Sequence, residues 1–188
     1  TFIEVSNAKQ SDVTALDLIV PEPGSFYVMD RGYLDFERLH TLHQAGAFFV
    51  TRLKKGVRYR RIRSRPVDLE TGLRSDQTIV LATAESSRNY PVPLRRVRFY
   101  DAAKQSSLCF LTNQFMQPAL TVCRLYKLRW QVELFFKWIK QHLRIKVFYG
   151  ITENAVKTQI WIAVAVYVLV AILRKRLTLD ATLYETLQ

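Results

Sequence analysis

Apolar and polar positions over the first fifty residues predict strands and helices by turns. TFIEVS (1–6) reads as a strand, and SDVTALDLIV (11–20) as a short helix with Ser11 or Asp12 as N-cap, ended by a turn at Pro21, Pro23 and Gly24. FYVMD (26–30) is a short apolar, aromatic-rich run that suits a buried strand and stops abruptly at Asp30. After the Arg31-Gly32-Tyr33 turn, residues 35–46 carry Phe36, Leu39 and Leu42 on one helical face, with Gly46 as C-cap. AFFVTRL (47–53) is the next strand. This β-α-β-α-β order predicts an α/β sheet with helices on its faces.

From about Lys54 to Ser107 helical periodicity disappears. Short β-prone runs, VRYRRIR (57–63), TIVLAT (78–83) and RRVRFYD (95–101), stand between charged, turn-rich connections and predict a β-rich subdomain. Alternation lines one strand face with Arg58, Arg60 and Arg98, a surface suited to phosphate contact; a charge-guarded edge strand is the plainer reading. Beyond the strand LCFLTN (108–113), Pro118 opens a long helix predicted to run to Leu143. A last helix starts near Glu153 or Asn154 and contains IWIAVAVYVLVAIL (160–173). Fourteen residues of helix span about 21 Å against the roughly 30 Å of a bilayer core, so this run predicts a helix buried on all sides and no membrane partner.

Charge changes the picture. Of 188 residues, 28 are Lys or Arg and 16 are Asp or Glu, giving a net charge of +12, while the hydrophobic share of 49% is ample for a core. A globular protein with a cationic face suited to nucleic acid follows, and a disordered basic tail is excluded. Cys109 and Cys123 form neither a disulfide framework nor a zinc motif, which suits a reducing, intracellular setting. His40, His43 and His142 lack a third ligand and read as surface or core-edge residues.

At about 100° per residue, Tyr126, Arg129, Glu133, Lys137 and Lys140 share an arc of about 80° on the long helix, opposite Leu128, Val132, Phe135, Ile139 and Leu143 as the core face. This is either a solvated face of i,i+4 ion pairs or a groove in which Trp130 and Trp138 crowd Glu133. A carboxylate among cations and aromatic rings is what phosphodiester chemistry uses: acids hold a metal, cations hold phosphates and rings stack on bases. A metal needs a second acid. Asp30 is the best candidate because it ends a strand, where ligand sites of α/β sheets gather, and Gly32 would turn the backbone away and expose it. Asp35, which reads as an N-cap, and Asp12 are weaker.

Tyr126, Arg129, Glu133 and Lys140, read in YKLRWQVELFFKWIK, together with MDRGY (29–33), resemble insertion-sequence DDE transposases of the insertion-sequence-four group, with their Y-(2)-R-(3)-E-(6)-K signature and second catalytic aspartate motif. The resemblance covers essentially the whole chain. It implies an RNase H-like α/β core with a β-rich insertion between the second Asp and the catalytic Glu. Residues 1–53 would be part of the core, 54–113 the insertion and 114–188 the core helices. It further implies two Mg²⁺ or Mn²⁺ ions held by an acidic triad, with Asp30 and Glu133 as the second and third acids. Tyr126, Arg129 and Lys140, with Trp130, Lys137, Arg58 and Arg60 beside them, would contact DNA. The implied activity is cut-and-paste transposition by strand cleavage and transfer, acting on transposon ends and target DNA as a synaptic dimer in the bacterial cytoplasm, at the nucleoid.

The family's first aspartate lies on an opening strand upstream of residue 1, so the expectation is a C-terminal portion of a transposase, inactive alone. The competing expectations are a non-catalytic, DNA-binding or regulatory portion, and an unrelated nuclease with the same core. Some relatives stack a flipped base on an insertion tryptophan. Here Trp130, Trp138 and Trp161 lie outside 54–113, leaving Tyr59, Tyr90 or Tyr100 as substitutes.

Overall fold

The structure, a computed structural model, describes residues 12–142, 150, 152–178 and 180–187, without the side chains of 12, 142, 184 and 187. The strand expected at 1–6 and the end of the expected long helix at Leu143 lie outside the described residues. The chain divides into two compact units, Thr1–Arg129 and Trp130–Gln188.

In the first unit one six-stranded sheet runs β1(Phe26–Val28), β2(Phe48–Arg52), β6(Ser106–Thr112), β5(Leu94–Asp101), β4(Leu73–Leu81), β3(Tyr59–Arg65). Among the described residues only β1 and β2 pair in parallel, with Phe26, Tyr27 and Val28 opposite Phe48, Phe49 and Val50, and the other pairings are antiparallel. The β-rich segment therefore supplies four strands that continue the sheet of β1 and β2. The run expected as a helix at 11–20 is a 3-10 helix, Asp12–Leu18.

The β1–β2 connection is α1(Phe36–Gln44), and its sequence specifies both ends. Asp35 accepts from the Arg38 amide at 3.1 Å as N-cap. At the other end Gly46, at φ +73°, donates to His43 O, and Ala47 donates to Leu42 O, a Schellman closure. Leu39 and Leu42 of α1 join Phe49, Ile79, Leu94, Leu111 and Tyr90, the C-cap of α2(Ala84–Asn89), in a core on one face of the sheet. The other face is covered by α3(Ala119–Leu128), whose Val122, Cys123 and Tyr126 pack on Val50, Val97 and Phe110.

A buried ion pair ties the middle of that second face. Arg95 donates to both oxygens of Asp76, at 2.9 and 2.7 Å, and to the carbonyls of Gln114 and Gln117 that lead into α3. Both side chains are nearly sealed, at 3% and 4% exposure. A pair so placed stabilises only because its remaining donors are also satisfied.

The long helix expected over 118–143 is two helices. α3 ends at Arg129, whose dihedrals stay right-handed (φ −54°, ψ −30°) but whose amide bonds back to Tyr126 O, three residues earlier. This tightening to 3-10 form interrupts the α pattern. α4(Trp130–His142) then opens the second unit. The expected core face fails accordingly. Leu128 and Val132 are 60% and 52% exposed, whereas the buried stripe of α3 is Ala119, Val122, Cys123 and Tyr126. Among the described residues of the expected set, Ile139 alone is buried.

Also in the second unit, α5(Glu153–Arg176) is capped by Thr152 and has Glu153 in its first turn and Arg174, Lys175 and Arg176 in its last, matching the helix dipole. Tyr167 packs edge-on against Phe135 at 4.7 Å and Trp138 at 5.1 Å. The expectation that this helix is buried on all sides is corrected: Ala163, Val164 and Val170 are buried, but Trp161, Ile162, Leu169 and Leu173 are exposed. Among the described residues α5 is the one helix long and apolar enough to cross a membrane, by length and composition only. α6(Leu183–Leu187) is the last described element.

Candidate functional site

Asp30 follows β1 and caps the 3-10 turn Arg31–Tyr33, accepting from the Arg31 amide at 2.6 Å. The next chain segment holds it from below: Thr51 Oγ1 of β2 donates to the Asp30 carbonyl at 3.1 Å, and Met29 N donates to Val50 O. The carboxylate is thus half-buried at a strand end, not exposed. Gly32 has no positive φ, and the chain turns through the 3-10 helix instead of a glycine-only conformation.

Tyr126, expected on a polar DNA-facing arc, is 6% exposed. Its ring packs on Phe110 at 4.8 Å, and its hydroxyl lies 3.4 Å from Asp30 Oδ1. The Arg129 guanidinium stands 5.4 Å over the same ring. Burial pushes the phenol above its ordinary pKa; the Arg129 charge opposes this, the Asp30 charge adds to it, and Arg52 also opposes it. The phenol therefore stays protonated at neutral pH and acts as a donor.

Both hydrogen bonds to Asp30 fall on Oδ1, and Oδ2 takes none among the described residues. An anionic oxygen in that position suits a divalent cation as donor. Among the described residues no three of His, Cys, Asp and Glu gather as a metal site, so the donor set is incomplete around Asp30 itself. His40 and His43 pack on Tyr90 at 5.3 and 5.8 Å, and His43 Nδ1 meets Asn113 Nδ2 at 3.0 Å, as core-edge residues.

Glu133, Lys137 and Lys140 recur at i, i+4 and i+7 on α4, one helical face, in the second unit. Glu133 is half-buried in the first turn, Lys137 and Lys140 are exposed, and Trp130 is 48% exposed.

Strand register sorts the arginines. Arg60 pairs with Val80 and Arg63 with Thr78, on the sheet face that carries Asp76 and α3; Arg58 precedes them with the same parity. A bulge between Arg61 and Arg63 brings Arg63 onto this face. Arg98 pairs with Ser75 and Cys109, which places it on the opposite face, so its expected grouping with Arg58 and Arg60 is corrected. Of the candidate stacking residues, Tyr90 is fully buried, Tyr59 lies under Arg96 at 5.1 Å and Tyr100 under Arg74 at 5.4 Å. Sequence reasoning missed Arg52. It ends β2 on the Asp30 face, two residues beyond Val50 as Asp30 is two beyond Val28, a register that no local sequence pattern announces.

Comparison with known proteins converges on one family. The family model described as the transposase DDE domain matches residues 1–169. A protein of Sinorhizobium fredii named as a transposase, y4zB, is 35% identical over 91% of this chain and 49% of its own length. A protein of Geobacillus stearothermophilus named as a transposase for insertion sequence element IS5377 is 33% identical over 76% of this chain and 37% of its own. A protein of Synechocystis named as a transposase for element IS4SA is 25% identical over 81% and 42%. The chain spans about half the length, or less, of these relatives. With an aspartate held at a strand end, and a match over nearly all of its length, this chain belongs to the transposase DDE domain family.

Proposed function

We propose that the chain is the part of an insertion-sequence transposase that holds DNA against a metal-dependent catalytic centre, in the manner of the insertion-sequence-four group. The observation that carries this reading is Asp30, fixed through Oδ1 by the Arg31 amide and the Tyr126 hydroxyl, on a sheet face that also bears Arg52, Arg58, Arg60 and Arg63. An acid with one oxygen spare, with a cation on the neighbouring strand and others further along the same face, is what metal-assisted phosphodiester chemistry on an extended DNA asks for.

Asp30 and Glu133 are the two residues of this chain that would ligate Mg²⁺ or Mn²⁺, with a further acid completing the set. Bound there, a pair of such ions activates the attacking oxygen and stabilises the leaving one. Tyr126 acts by orienting Asp30, since its own side chain is buried. Arg129, Lys137 and Lys140 would bind phosphate, and Trp130 would offer a ring to a base. An RNase H-like core is the architecture proposed. The parallel β1–α1–β2 unit supports it, with Asp30 at the carboxyl end of β1. Cut-and-paste transfer from transposon ends into target DNA, by a dimer in the bacterial cytoplasm at the nucleoid, is the activity proposed for the whole protein.

The test is equilibrium binding of duplex DNA across a salt series. The net charge of +12 and the arginine face predict a steep log–log slope, about 0.9 for each phosphate neutralised. A flat dependence, or no binding, contradicts the reading.

A further inference from the structure

We infer that Arg52, which lies outside the transposase signature, binds the DNA phosphate presented to Asp30. This rests on the reading of the chain as a DNA-handling transposase and names one more residue of that site.

Placement comes from register. Val28 and Val50 are the last parallel pair; beyond it Met29 N donates to Val50 O, and the Thr51 side-chain hydroxyl donates to Asp30 O, keeping the chain at Asp30 against β2. Asp30, in extended backbone two residues beyond Val28, and Arg52, two beyond Val50, therefore leave the same sheet face, the one on which Tyr126 packs, from neighbouring chain segments. Arg52 also pairs with Phe110, whose ring packs against Tyr126, the residue whose hydroxyl reaches Asp30. The Arg52 charge is felt at the Tyr126 phenol together with that of Arg129.

Availability comes from the other arginines on this face. Arg95 is buried and bound to Asp76, and Arg65 also reaches Asp76 at 3.4 Å. Arg60 and Arg63 lie on β3, at the far edge of the sheet and five strand spacings, about 24 Å, from β1. Arg52 is half-buried and in no ion pair among the described residues. The Arg31 amide and Tyr126 bond Asp30 through Oδ1, and no ion pair joins Asp30 to Arg52 among the described residues, so the neighbouring acid does not consume the guanidinium. A half-buried, unpaired guanidinium beside a carboxylate with a spare oxygen matches a phosphodiester: its planar fork takes two phosphate oxygens. Asp30 alone would repel the same group.

The experiment is metal-free binding of a random-sequence 30-base-pair duplex by the 188-residue chain from 50 to 200 mM KCl. It compares the unsubstituted chain with Arg52→Gln, Arg52→Lys, Asp30→Asn and the pair Asp30→Asn/Arg52→Gln, with Arg88→Gln as a control on α2 against the opposite face. Arg52→Gln is expected to lower the salt slope by about 0.9, so its affinity falls about 3.5-fold less across that range. Arg52→Lys keeps the slope but binds more weakly. Asp30→Asn tightens binding, and that gain shrinks in the pair because both residues face one phosphate. Arg88→Gln changes neither quantity. Equal slopes for Arg52→Gln and the unsubstituted chain, with matching thermal unfolding, overturn the inference while leaving DNA binding intact; so does an equal loss in Arg88→Gln. If Arg52→Gln does not fold, an Arg52→Lys affinity equal to the unsubstituted chain overturns it. Failure of the unsubstituted chain to bind any duplex defeats the transposase reading itself.

Discussion

The hydroxyl of Tyr126 lies 3.4 Å from Oδ1 of Asp30, joining residues 96 apart in sequence across one face of the sheet. The Tyr126 side chain, 6% exposed, thus meets the acid from within the fold.

This relationship separates the two halves of the tyrosine. Tyr126→Phe keeps the ring on Phe110 and loses only the donor to Asp30, so it should cost about 1 kcal/mol or less in urea unfolding. Tyr126→Ala removes a buried ring and should cost about 3–5 kcal/mol. Similar losses for both variants would contradict a ring that packs and a hydroxyl that orients.

The Arg95–Asp76 pair predicts a sharper asymmetry. Asp76→Ala leaves a guanidinium at 3% exposure without its carboxylate and should destabilise by about 3–5 kcal/mol. A paired Arg95→Met/Asp76→Leu replacement should recover much of that loss. Calorimetric melting of the unsubstituted, Asp76→Ala and paired proteins checks it, and a paired variant no more stable than Asp76→Ala would refute the coupling.

His43 gives the protein a pH dependence of definite sign. Burial, followed by the nearby His40, holds its pKa below the ordinary value, and Asn113 Nδ2, which also donates to Ala47 O, assigns His43 Nδ1 as an acceptor. The folded state thus prefers the neutral ring. The contribution is complete above the unfolded-state pKa of about 6.5 and is lost as pH falls from there through the lower folded-state value. Tm should therefore decline between about pH 7.5 and 5, and His43→Gln should flatten that decline. An unchanged slope in the variant would rule out His43 as its source.

Much of the first half was legible in local chemistry. Asp35 and Gly46 mark both ends of α1, and FFVTR marks β2, because caps and β-branched or aromatic runs act within a few residues. Asp30 was legible as a strand-end acid. The long helix was misread because Pro118 to Leu143 carries two apolar stripes. The one that packs on the sheet, Ala119–Val122–Cys123–Tyr126, ends where Arg129 tightens the turn. Arg52 was invisible because its neighbour Asp30 is set by the parallel register of two strands, a nonlocal fact. The bulge at Ile62 likewise decides which arginines share a face, and no local pattern announces it.

Mutations of the arginine edge should follow that register. Arg60→Ala and Arg63→Ala should each lower the salt slope of duplex binding by about 0.9, whereas Arg98→Ala, on the other face, should leave it unchanged. A larger effect from Arg98 than from Arg60 would move the DNA surface to the α1 side.

The central claim is that Asp30 and Glu133 serve one metal centre, and a crystal structure of the chain with duplex DNA and Mn²⁺, read by anomalous scattering, tests it most directly. Two ions about 4 Å apart, with ligand bonds of about 2 Å, require the carboxylates to lie within about 8 Å of each other. The account predicts Mn²⁺ on Asp30 Oδ2 with Glu133 inside that distance. Carboxylates well beyond it, with Mn²⁺ on neither, would contradict the account.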